Sequence, residues 1–113
     1  MKPHYIVNTD LHEFQKEVLE SEIPVLVDFW ADWCPPCTAL TPVLERFVKS
    51  MEGKLKLVKV EVDEGDNMKL AGRYLLRGFP TVLLFSNGDE LGRFSGAKQE
   101  HWVKNFIQEH LPS

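Results

Sequence analysis

The chain has 113 residues, a net charge of −4 and a composition that is 43% hydrophobic, 27% charged and 11% aromatic. That length suits a single domain, read as residues 1–113, with enough apolar material to fold around a core without a crosslink. The acidic balance and the lack of a basic stripe speak against nucleic acid or membrane partners. The opening MKPHYIVNTD has no apolar run long enough for a signal peptide or a spanning helix, so a cytoplasmic setting, where thiols stay reduced, is expected.

In chain order, YIVN (5–8) reads as a short strand. DLHEFQKEVLES (10–21) reads as a helix: Asp10 and Glu13 make a capping box, and Leu11, Phe14, Val18 and Leu19 fall on one face. PVLVDFWA (24–31) is an apolar run broken only by Asp28, which suits a strand covered on both faces. A helical pattern from Pro36 to about Met51 carries Leu40, Val43, Leu44, Phe47 and Val48, with Pro42 inside it as a kink. LKLVKVEVD (55–63) alternates like a strand, and a short helix over Asn67–Leu76 follows. TVLLF (81–85), the turn pair Asn87-Gly88 and ELGRFSG (90–96) form a hairpin. KQEHWVKNFIQEHL (98–111) sets Val103, Phe106, Ile107 and Leu111 along one side of a last helix. The order βαβαβαββα implies a central mixed sheet with helices on both faces.

The only two cysteines, Cys34 and Cys37, flank Pro35 and Pro36. They fit three readings: a structural crosslink, half of a metal site, or a reactive dithiol. A bridge across two residues closes almost no loop, so it stabilises little. A metal needs four ligands, and the histidines at 4, 12, 101 and 110 are dispersed, which leaves only a zinc shared between two chains. The dithiol reading has local support. Each proline pushes the residue before it toward extended backbone, and Pro36 suits the first helical position. Cys34 then stands just outside the helix, beside the N–H groups of Cys37 and Thr38, which with the helix dipole favour a thiolate. For about 2 kcal/mol of stabilisation and a Brønsted slope near 0.5, attack gains only about 3-fold. The larger advantage is a second thiol tethered beside any mixed disulfide the first one forms.

Five ordered pieces, namely VDFWADWCPPC with Pro42 five residues after Cys37, VKVEVD, RGFPT and the NG hairpin before a terminal amphipathic helix, resemble the thioredoxin family over nearly the whole chain. The resemblance implies the thioredoxin fold, an α/β architecture with a four- to five-stranded mixed sheet flanked by helices, and a dithiol at the tip after the second strand. It implies reduction of protein disulfides through a Cys34–Cys37 pair that closes into a disulfide, with Cys34 attacking and Cys37 resolving. Asp28 would be the buried aspartate that exchanges a proton behind the pair, an expectation that desolvation in an apolar strand supports. Lys59 would modulate it. Pro80 would be the cis-proline facing the dithiol, with a strand edge there for a substrate segment. Trp33, Pro35, Pro36, Gly78, Phe79 and Gly96 would complete the docking surface, with Trp30 packed beneath the site and Trp102 on helix surface or core. The implied partners are disulfide-containing proteins and a thioredoxin-reductase-like or other dithiol donor; the implied carrier is a monomer with no bound cofactor and no metal.

Two departures stand out. Pro-Pro replaces the family's usual Gly-Pro, as in tryparedoxins and nucleoredoxins, which carry insertions this chain lacks. Restricting the open dithiol this way shifts the potential by at most about 20 mV, so the protein is expected to stay reducing. The segment before RGFPT is about two residues longer than usual and has Leu75 where a helix-ending glycine is common. The competing readings are a dedicated tryparedoxin- or nucleoredoxin-like variant, an oxidant or isomerase variant, and a non-catalytic docking subunit.

Overall fold

The computed structural model describes residues 5–112, so His4 and most of the amino-terminal segment lie outside the described residues. Strand β1 (Ile6–Thr9) leads into a short π-wound helix (Gln15–Leu19), then β2 (Val25–Trp30), α1 (Pro35–Ser50), β3 (Lys56–Glu61), α2 (Met68–Arg73), β4 (Thr81–Ser86), β5 (Asp89–Ser95) and α3 (Glu100–His110). The five strands pair in the order β1-β3-β2-β4-β5, with β4 antiparallel to β2 and β5 antiparallel to β4, so the expected mixed α/β sheet is borne out.

Alternation along the strands divides the core in two. Val25, Val27 and Phe29 of β2 face Phe14, Val18 and Leu70, from the π-wound helix and α2. Leu26 faces Leu40, Leu44, Val103 and Phe106, from α1 and α3. The even-numbered positions of β2 therefore point at α1, and Asp28 is one of them. A carboxylate occupies a place that the alternation reserves for an apolar side chain.

The first helix differs from its expected α form. Asp10 Oδ1 does accept the Glu13 N–H at 2.9 Å, as half of a capping box, but Glu20 N–H bonds Gln15 O, five residues back, at 2.9 Å. The wider turn carries both Val18 and Leu19 toward the core beneath Phe14. Helix α2 is shorter than the pattern suggests. It closes in a Schellman motif, with Leu76 N–H bonding Ala71 O at 2.9 Å and Leu75 N–H bonding Gly72 O at 3.2 Å. Leu75 takes the left-handed position (φ 57), while Leu76 folds back onto the core, which is why the apolar period continues past the helix end.

This predicts a stabilising substitution. A side chain in the left-handed region costs about 1–2 kcal/mol, and glycine's greater freedom in the unfolded chain returns about 0.5–1 kcal/mol of that. Leu75 is 78% exposed and loses little burial when removed. Leu75→Gly should therefore raise stability in urea titration by about 0.5 kcal/mol, whereas Leu75→Ala should not. A loss of stability in the glycine variant contradicts the strain assignment.

Candidate active site

The end of β2 hands the chain to α1 through Asp32 and Trp33, and Cys34 caps the helix in extended conformation (φ −111, ψ 98). Both prolines enter the first turn, so Pro35, not Pro36 as the sequence suggests, holds the first helical position. Neither has an N–H to offer. Cys37 N–H lies 3.3 Å from Cys34 Sγ and 3.0 Å from Cys34 O. The Thr38 N–H, expected beside the sulfur, bonds Cys34 O at 3.2 Å instead. One backbone donor, not two, therefore faces the Cys34 sulfur at this helix start.

Cys34 and Cys37 form a disulfide with Cα atoms 5.2 Å apart. Cys34 is 4% exposed and Cys37 is wholly buried. Trp33, at 59% exposure, stands over the site with its ring edge-on to Phe79 at 6.2 Å, and its indole N–H donates to Asp63. Phe79 is half-buried, Gly78 exposed and Pro80 buried. The Phe79–Pro80 peptide bond is cis. Pro80 O accepts the Gly96 N–H at 3.0 Å, and Gly78 O accepts the Thr81 hydroxyl at 2.6 Å. Among the described residues no hydrogen bond engages the N–H or C=O of Phe79, so the open backbone of this edge is at Phe79, flanked by engaged carbonyls.

A carboxylate cluster lies on the Trp33 side. The Glu61 carboxyl is held above its ordinary range by a hydrogen bond with Glu64, then by slight burial and by the charges of Glu64, Asp32 and Asp63. An exposed apolar groove along Met68, Leu75, Leu76 and Phe79 adjoins the other side. Sequence reasoning missed this extension because Leu75 and Leu76 read as the last positions of a helix.

Behind the dithiol, Asp28 has 0% exposure. Burial raises its pKa from 3.8 to about 7, against a hydrogen bond from Thr41 and the charge of Lys59, while Glu45 adds to the rise. Thr41 Oγ1 is 3.3 Å from Asp28 Oδ2; among the described residues Asp28 Oδ1 has no hydrogen-bond partner. Lys59 is the register partner of Asp28 on β3, so both side chains rise from the same face of the sheet. Its ammonium is nonetheless paired with Glu45 Oε2 of α1 at 2.8 Å. Thr41 and Glu45 did not emerge from the sequence as site residues, although one signal was present. Positions 37, 41 and 45 fall on one helical stripe, and two of them are polar on a face that also carries Leu40 and Leu44.

Trp30 is half-buried and lines a cavity with Asn8, Thr9, Lys59 and Glu61. Trp102 belongs to an aromatic cluster with Phe94 and Phe106, away from the dithiol on α3. Among the described residues, no group of three or more His, Cys, Asp or Glu side chains is arranged to hold a metal ion. The redox group is the cysteine pair itself.

The Thioredoxin family profile matches residues 5–109. A thioredoxin of Rickettsia felis is 42% identical over 98 residues, covering 87% of this chain and 91% of that protein. Thioredoxin 1 of a Nostoc species is 41% identical over 98 residues, covering 87% and 90% respectively. A thioredoxin of Chlorobaculum thiosulfatiphilum is 41% identical over 107 residues, covering 95% and 96%. With the fold, the capped dithiol and these relatives in agreement, the chain belongs to the thioredoxin family and is a thiol–disulfide oxidoreductase acting through Cys34 and Cys37.

Proposed function

We propose that the protein is a monomeric reducing carrier, residues 1–113 acting as one unit, in which Cys34 attacks and Cys37 resolves. Differential access supports that order most directly: the Cys34 side chain reaches the surface at 4% exposure and Cys37 has none. A substrate segment lies along Phe79 and Pro80, under the Trp33 ring and beside Pro35, Pro36, Gly78 and Gly96. The Cys34 thiolate attacks one sulfur of the substrate disulfide, which breaks, and the departing thiolate takes a proton. Cys37 gives its proton to Asp28 through water, attacks Cys34 Sγ and releases the second substrate thiolate. Two electrons pass to the substrate and the pair closes. A carboxylate with a pKa near 7 is suited to that exchange at neutral pH. Lys59 tempers it by favouring the ionised form.

A thioredoxin-reductase-like partner or another dithiol recharges the disulfide, and any nicotinamide or flavin belongs to that partner. Among the described residues no helix is long and apolar enough to cross a membrane. We place the protein in the cytoplasm, because this chemistry runs forward where thiols are kept reduced. Insulin reduction by dithiothreitol tests the reading. The native chain should accelerate precipitation of the insulin B chain at low micromolar concentration, and Cys34→Ser should return it to the uncatalysed rate. Equal rates with both proteins would leave only docking on the Trp33 surface.

A further inference from the structure

The Thr41 hydroxyl stands at a branch. Its oxygen is 3.1 Å from Cys37 O and 3.3 Å from Asp28 Oδ2. A hydroxyl carries one hydrogen, so it serves one acceptor at a time. We propose that Thr41 is a positioning residue whose O–H turns from the Cys37 carbonyl to Asp28 when that carboxyl ionises, so that the helix turn of the resolving cysteine responds to the charge behind it. The inference rests on the proton-exchange reading of Asp28.

Three features of the geometry carry it. Among the described residues Asp28 Oδ1 has no hydrogen-bond partner and Oδ2 has only Thr41, so the Thr41 hydroxyl is the donor available to the ionised carboxylate. A charged acceptor binds the hydrogen more strongly than a peptide carbonyl, so ionisation draws the hydroxyl across. When Asp28 is neutral, that preference disappears, and the shorter contact to Cys37 O provides the back-bond that threonine makes inside helices. The position lies one turn below Cys37, directly before Pro42, whose missing N–H already loosens this part of α1.

The charged groups facing Asp28 are Lys59 from β3 and Glu45 from α1. On β4 its neighbour is the uncharged Val82. Glu45 works against Thr41. It draws the Lys59 ammonium to itself and adds a like charge beside Asp28, so it opposes the ionisation that the hydroxyl supports.

The experiment follows Asp28 by carboxyl carbon NMR across pH in the oxidised protein, with the Cys37 carbonyl carbon as second probe. In the native chain both signals should titrate with one midpoint. Thr41→Val should raise the Asp28 midpoint by about one pH unit and reduce the Cys37 carbonyl step severalfold. Thr41→Ser should restore both, and Glu45→Gln should lower the midpoint by about half a unit. Midpoints that stay put in the valine and glutamine variants, or an undiminished Cys37 step without the hydroxyl, overturn the proposal. If the valine variant does not fold, the serine and glutamine variants still decide it: a serine chain without the coupled step, or an upward shift in the glutamine chain, counts against it. Insulin reduction by the native chain is scored separately. Its absence removes the parent reading, whereas activity with unmoved midpoints removes this inference alone.

Discussion

Cys37→Ser should convert the protein from a carrier into a trap. Incubated with an oxidised protein substrate, the variant should accumulate a covalent adduct through Cys34 that persists until an outside thiol releases it. In the native chain the second thiol is tethered in the first turn of the same helix, with its Cα 5.2 Å from that of Cys34. Even an effective molarity of about 10 M, set against about 1 mM external thiol, predicts a loss of about 10⁴-fold in the rate of release. That is larger than anything thiolate acidity supplies here, because the two prolines leave a single backbone donor, Cys37 N–H, facing the Cys34 sulfur. Intact-protein mass spectrometry checks the result: adduct with Cys37→Ser, none with the Cys34→Ser, Cys37→Ser double variant. Equal trapping by Cys34→Ser would reverse the assigned order, and it would have to proceed through a sulfur that is completely buried.

The sheet and its two-sided helix packing were readable because Val25–Trp30 and Thr81–Ser86 are uniform apolar runs and the Asn87-Gly88 turn fixes its hairpin. Both turn residues take positive φ, 52 and 84, which that dipeptide tolerates best. What stayed hidden depends on partners distant in sequence or on helix winding. Five residues of apolar spacing cannot separate a π turn from an α turn, so Gln15–Leu19 was misread. Asn67 stands at the start of α2 as its N-cap, yet its side chain caps nothing and works as a staple, accepting the Leu11 N–H at 2.9 Å and donating to Glu61 O at 2.9 Å. Lys59 enters beside Asp28 through the family resemblance, and on β3 it is the register partner of Asp28. Its choice of Glu45 as ion-pair partner comes from α1 crossing that face, which periodicity in β3 cannot convey. The dithiol was legible for the opposite reason: its geometry is local, written in four consecutive residues.

Asp28→Asn should stabilise the folded chain strongly, and only above mildly acidic pH. The carboxyl pKa is 3.8 in the exposed reference and about 7 in the fold, raised first by burial. Below the lower value both states hold the proton and the group is neutral in its effect. Between the two, the unfolded chain releases a proton that the native chain keeps, so stability falls by about 1.4 kcal/mol per pH unit. Above the upper value the native chain has lost about 4 kcal/mol and the curve is flat again. Asparagine has nearly the same shape, keeps an acceptor for Thr41 and never ionises, so it escapes this penalty. Urea titration of the oxidised proteins should therefore show the variant's advantage growing by about 3 kcal/mol between pH 4.5 and pH 8. An advantage independent of pH would mean that Asp28 does not titrate in this range. The same substitution removes the proposed proton acceptor for Cys37, so release of the mixed disulfide at neutral pH should slow by about 10²-fold. A more stable and slower protein is the combination expected when a fold retains a buried acid for chemistry rather than for packing. A variant gaining stability with no loss of rate would separate the two, and would leave Asp28 without the role assigned to it.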